Sequence, residues 1–407
     1  MRKLWKIAYR DLTRNRRRSL LTLVAVALGV AMLVTLTGLY AGAIGDSIEN
    51  NIRLQTGHLQ LRDDSYDEDK VSLAWQDLLD NSEELAEQVR GLDGVEAASP
   101  VLWASGIVST REESVGVRVF GIDPLSDLHK RVRDGLVAGE YLQPDDRSGL
   151  LLGRRLAESM EISVGDQVNL LVNTSNQQAD EAMFTVRGLY QTGVPTYDDI
   201  TILLPLSKAQ SFTGTEGRAS AIVALLGNRE RADAIAQTLS APGYNVLTWT
   251  DMNQVILQAI ETSMGITYLM YLIVLAVVAV VIANTLLMSV FERVREMGIL
   301  AALGMKGRQI MAMFMLEAGT LGLVGVMAGV LLGSLGVLYL ATVGLHIGDM
   351  ATVATAEVAY GEVVHGQFDP GATLGLSLGA MVIILLASLY PAWFAARLEP
   401  IDALRAQ

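Results

Sequence analysis

Apolar and polar positions along this chain separate into blocks. Four runs, Leu20 to Gly45, Met264 to Val290, Ala318 to Leu345 and Gly371 to Ala396, contain no charged residue. Each meets the roughly 20 residues that a helix rising about 1.5 Å per residue needs to cross a bilayer. They predict four transmembrane helices, at 20–45, 264–290, 311–345 and 371–396.

The long insert at 46–263 follows a different pattern. Alternating or β-branched runs, "GHLQL" (57–61), "SVGVRVFGI" (114–122), "DQVNLLV" (166–172), "MFTVRGLY" (183–190) and "AIVALL" (221–226), are bounded by turn residues and predict strands. Helical spacing appears at 82–90, 153–160, 228–240 and 251–262. The expected fold class is an α-helical membrane protein with four transmembrane helices plus a large, two-lobed extracytoplasmic α+β domain inserted between helices 1 and 2. "DSIENNIRL" continues out of the first span, and "DMNQVILQAIETS" enters the second with Met252, Val255, Ile256, Ala259 and Ile260 on one face. These ends read as stalk helices, with ordinary linkers as the alternative.

Composition agrees: of 407 residues, 51% are hydrophobic. The net charge of −13 hides an asymmetry that orients the chain. Residues 1–19 carry eight Lys/Arg and one acid, 291–310 carry four and two, whereas 343–370 carry four acids and no base. Positive short loops stay inside, so both termini and the 291–310 loop are expected in the cytoplasm. The insert and the 346–370 loop are then outside. "AGAIG" (41–45) could suit a signal peptidase, but the apolar run is about twice a 7 to 15 residue signal core, so the first segment reads as an uncleaved span. Acidic sequences such as "DDSYDED" (63–69) read as solvated loops, and a nucleic-acid partner has no support.

Two spans carry glycines three or four apart: Gly319, Gly322, Gly325, Gly329, Gly333 and Gly336 in the third, Gly371, Gly375 and Gly379 in the fourth. Small residues on one face let helices approach closely in lipid, and the pattern predicts a packed helix pair. Glu317 and Asn284 are polar exceptions, read as structural or snorkelling and as a helix-packing hydrogen bond respectively.

Catalytic chemistry is sparse. The chain has no Cys, and His58, His129, His346 and His365 fall in no metal-binding spacing. His346 and His365 share a loop with Asp349, Glu357 and Asp369, too scattered to predict a metal. No G-x-x-x-x-G-K-S/T occurs, so any ATP is expected on another chain.

The charged stretch "FERVREMGILAALGMKGRQI" (291–310) divides, as a helix, into a small apolar stripe (Phe291, Val294, Gly298, Ala301 or Ala302, Met305) and a polar side with Glu292, Arg293, Arg295 and Glu296. Internal i,i+3 pairs supply only about 0.2–0.5 kcal/mol each, which leaves a partner or a plain hydrophilic loop as explanations.

This stretch resembles the cytoplasmic loop of FtsX-like ABC transporter permeases of the MacB and LolC/LolE type, with their E-R-x-x-E-x-G-x-L-x-A-x-G pattern. "WKIAYRDLTRNRRRSLLT" (5–22) and "YPAWFAARLEPIDALRA" (390–406) resemble the family's flanking sequences, and "LLLGRRLAESMEISVGDQVNL" (150–170) its MacB-like periplasmic core.

The resemblance implies that Glu292, Arg293, Glu296, Gly298, Leu300, Ala302 and Gly304 belong to a coupling helix docking on an ATPase subunit, with Glu296 foremost. Ala301 departs from the Arg common in relatives. The resemblance also implies two copies of a cytoplasmic ATPase that bind ATP and Mg, a second permease copy or paralogue, and a location in the bacterial inner membrane. This chain itself binds no cofactor in that scheme. A basic amphipathic helix at 1–19 would lie on membrane lipid, and 397–407 form a cytoplasmic tail. The implied action is mechanical, on lipoproteins or other lipid-linked substrates, with efflux of peptides or toxins and regulation of cell-wall hydrolases as alternatives.

Overall fold

The computed structural model describes residues 16–67, 71–240, 242–348 and 360–397. The expected basic surface helix falls mostly at 1–15, the tail at 398–407 and most of the second outer loop at 349–359; these lie outside the described residues. The chain divides into two compact units, Met1–Ile44 with Ile260–Leu345 and Val364–Gln407, and Gly45–Ala259 with His346–Val363. Each is taken by itself.

The first unit is helical. Four helices are long and apolar enough to cross a membrane: α1 (Arg16–Asn51), α2 (Gln254–Glu292), α4 (Gly307–Val343) and α5 (Pro370–Ala396), with the short α3 (Val294–Ala302) between α2 and α4. Lipid offers no hydrophobic drive for helix association, so close packing and hydrogen bonds must hold them together. Both are present. Thr22 Oγ1 meets Thr285 Oγ1 at 3.0 Å and Thr37 Oγ1 meets Tyr271 OH at 2.7 Å, which sets α1 antiparallel to α2. Thr285 makes this contact while the adjacent Asn284 is exposed, so the expected packing bond belongs to the neighbouring residue.

The glycines of α4 serve two neighbours rather than one. A Cβ on Gly319 or Gly322 would meet Leu385 and Met381 or Ile384 of α5. Gly325, Gly329, Gly333 and Gly336 instead face α1, receiving Val26, Val30, Val34 and Thr35. The residue numbers rise together on both helices, so α1 and α4 run parallel, with β-branched residues seated in successive glycine gaps.

The expectation for α5 needs correction. Gly375 and Gly379 have nothing within 4 Å, and Gly371 meets only its own Asp369. The inward face of α5 is instead Thr373, Ala380, Ile384 and Ser388, all buried. At its start, Asp369 accepts from the Ala372 N–H at 3.0 Å, and Pro370 fits a first-turn position whose N–H has no helical partner.

The second unit is a mixed α+β domain. Its sheet runs β10 (Tyr244–Thr248), β1 (Leu59–Asp63), β9 (Ala221–Leu226), β2 (Val95–Ser109), β3 (Ser114–Ile122), β8 (Thr201–Pro205), β5 (Gly149–Gly153), β7 (Ala179–Tyr190), β4 (Leu136–Gly139), with β6 (Gln167–Asn173) joining β2 to β7. The two lobes share one strand. Val95–Val101 of β2 pair with β9, and Leu102–Ser109 pair with β3. Each half backs its own core, a smaller one around Leu59, Ala98 and Leu226 and a larger one around Leu102, Val119, Leu150 and Phe184. A π-turn, Ile52–Thr56, leads into β1 through Gly57, whose φ of +65° favours glycine.

Candidate functional site: the helix between the second and third spans

The charged stretch folds as α3. Arg293, with φ −116° and ψ 15°, interrupts the helix after α2, and α3 starts at the next residue. Met297 and Gly298 are buried on its inner side. There they join Val290, Ile310, Met313, Phe314, Ala392 and Ala395, with Val294, Ala301 and Met305 packed against the cluster, so α3 is pinned to the near ends of α4 and α5. Gly307 fits because a Cβ there would come within 2.8 Å of the Ala396 carbonyl oxygen.

The outward side carries Arg295, Glu296, Ile299, Ala302, Leu303 and Gly304. Leu303 is 81% exposed, an unusual position for a large aliphatic residue. Gly304 has φ +93° and turns the chain toward α4, where Gln309 Oε1 accepts from the Lys306 N–H at 2.9 Å. Charge and exposed apolar surface on a firmly backed short helix suit recognition by another protein.

The family-derived positions separate into two groups. Glu296, Ala302 and Gly304 are exposed and Leu300 is half-buried. Gly298 is buried. Glu292 turns to α1, where its Oε2 accepts from Arg18 Nη1 at 2.8 Å. Arg293 departs from expectation: it is 5% exposed, and its Nη1 lies 3.7 Å from Oε2 of Glu317, itself 4% exposed. The guanidinium faces α4, so a docking role does not fit its position. Glu317, expected to be structural or snorkelling, is buried beside Arg293 and does not snorkel. Glu292 and Arg293 would share one polar face in a continuous helix, and the break at Arg293 separates them.

Among the described residues no group of three or more His, Asp or Glu is placed to hold a metal ion. The inserted domain has charged pockets, including one of about 400 Å³ lined by Arg155, Glu158, Ser159 and Asp199. Arg155 there is already hydrogen-bonded to Asp199 at 2.8 Å.

Family models match nearly the whole chain: the MacB-like periplasmic core domain over residues 19–241 and the FtsX-like permease C-terminal domain over residues 268–400. The chain belongs to the FtsX-like, MacB-type ABC transporter permeases. This permease is 25% identical to the lipoprotein-releasing system transmembrane protein LolC of Neisseria meningitidis, over 96% of its own length and 95% of the relative's. It is 29% identical to the macrolide export ATP-binding/permease protein MacB of Rhodospirillum rubrum, covering 99% of the permease but 60% of that protein. An uncharacterized ABC transporter permease of Methanocaldococcus jannaschii is 23% identical over 98% of the chain.

Proposed function

We propose that this permease docks a separate ATPase on α3 and passes the motion of ATP binding and hydrolysis through its spans to the inserted domain. The observation carrying this reading is α3 itself, a short helix with Glu296, Ile299 and Leu303 turned outward while its back is fixed to α4 and α5. Two ATPase copies would hold ATP and Mg, and a second permease copy or paralogue would complete the membrane part. The basic residues at 1–19 and 291–310 favour an orientation in the inner membrane with both termini cytoplasmic. Basic side chains at 1–19 would rest on anionic lipid.

The substrate class we propose is lipoprotein or other lipid-linked cargo. Support comes from the near end-to-end match with LolC, whereas MacB, named for macrolide export and ATP binding, is covered over only 60% of its length. A photocrosslinking residue at Ile107 or Met183, exposed apolar positions of the inserted domain, followed by mass spectrometry of the adducts tests it. Lipidated proteins are the expected products. Recovery of peptides or small hydrophobic molecules alone would favour efflux, and cell-wall hydrolases a regulatory role; either sinks the lipoprotein reading.

A further inference from the structure

Glu292 and Arg293 sit side by side in the chain and reach in opposite directions. The Arg18–Glu292 contact on α1 is partly open to solvent, its side chains 24% and 40% exposed. The Arg293–Glu317 contact on α4 is not, at 6% and 5%. Nothing but the permease's own atoms covers the second pair.

The geometry points to Arg293 and Glu317 as a transmission pair, two positioning residues that oblige α4 to follow α3. The inference rests on reading α3 as the ATPase-docking helix. The apolar cluster behind α3 holds it against α4 and α5 but permits small shifts, because one methyl contact can replace another. A buried charge pair has less freedom, since separating it gives up an electrostatic contact that water is not at hand to replace. The solvent-facing Arg18–Glu292 pair can exchange its partner for water and holds α1 only weakly.

Movement imposed on α3 therefore enters the membrane through α4. It then reaches α1 along the seam in which Val26, Val30 and Val34 sit against Gly325, Gly329 and Gly333. Glu317 lies about two turns before that seam on the same helix.

The test uses the full permease with its ATPase in lipid vesicles. The chain has no cysteine, so Val280→Cys on α2 and Leu331→Cys on α4, both exposed positions, take nitroxide labels cleanly. Electron paramagnetic resonance then reports the α2 to α4 distance with and without ATP and vanadate. The decisive variant is Arg293→Met combined with Glu317→Leu, because replacing a buried ion pair with apolar residues of similar volume commonly preserves folding.

The double variant is expected to unfold at the wild-type temperature and to bind the ATPase normally. Its nucleotide-driven change in the α2 to α4 distance is lost. A double variant with the full wild-type distance change overturns the inference and leaves the docking assignment standing. A wild-type permease that binds no ATPase and never responds to nucleotide overturns the docking assignment itself.

Discussion

Val30 of α1 is seated over Gly329 of α4, so closely that a Cβ added to Gly329 would lie 2.6 Å from the Val30 Cβ and 2.8 Å from the Ala27 carbonyl oxygen. A methyl group there must push two helix backbones apart. Gly329→Ala is therefore expected to destabilise the permease by about 1–3 kcal/mol, as overpacking does elsewhere. Gly375→Ala, with nothing within 4 Å, should change stability by less than about 0.5 kcal/mol. Thermal unfolding of the purified variants in detergent distinguishes them; equal losses would refute the packing described for α4.

Glu296→Lys should leave folding unchanged and lower ATPase co-purification about tenfold, since reversing an exposed charge at an interface affects association rather than the fold. Arg293→Ala should behave oppositely. It removes one member of a buried ion pair and costs about 3–5 kcal/mol of stability, which appears as lost yield before any effect on binding. Normal ATPase recovery by Glu296→Lys would remove α3 from the docking surface.

The inserted domain holds two groups whose pH effects oppose one another. Burial lowers the His129 pKa from 6.5 to about 3, so on acidification the unfolded chain takes up this proton first, and stability falls as the pH drops from 6.5 towards 3. Burial raises the Asp198 pKa from 3.8 to about 6, partly offset by hydrogen bonds from Thr192. The folded chain takes up that proton first, and stability rises as the pH drops from 6 to 4. Each slope approaches about 1.4 kcal/mol per pH unit. Relative to wild type, His129→Phe should gain stability between pH 6 and 4, and Asp198→Asn should lose it. Parallel pH profiles for the two variants would contradict both burials.

Gly57→Ala should cost about 1–3 kcal/mol from backbone strain at φ +65° alone, with a further cost because the new Cβ would lie 2.5 Å from Val223 Cγ1. Chemical denaturation would read the loss, and an unchanged midpoint would count against this turn.

Strands with clean alternation were legible in sequence: "SVGVRVFGI" and "AIVALL" coincide with β3 and β9. The longest strand was not. "VEAASPVLWASGIVS" contains Pro100 and Gly106, which argue against a central strand, yet its neighbours on both sides hold it in the sheet.

The exposure of Glu296 was legible because it follows from helical spacing. The Arg293–Glu317 pair was not, since its partners are 24 positions apart and the helix break shifts their phase. The seam between α1 and α4 had a signal that went unused. Val26, Val30 and Val34 repeat every four residues, complementing Gly325, Gly329 and Gly333.

Strand β2 has a further consequence, for folding. Neither lobe of the inserted domain can close its hydrophobic core until residues 95–109 are in place, because Ala98 belongs to one core and Leu102 to the other. The two lobes are thereby tied into a single cooperative unit, for which one melting transition is expected.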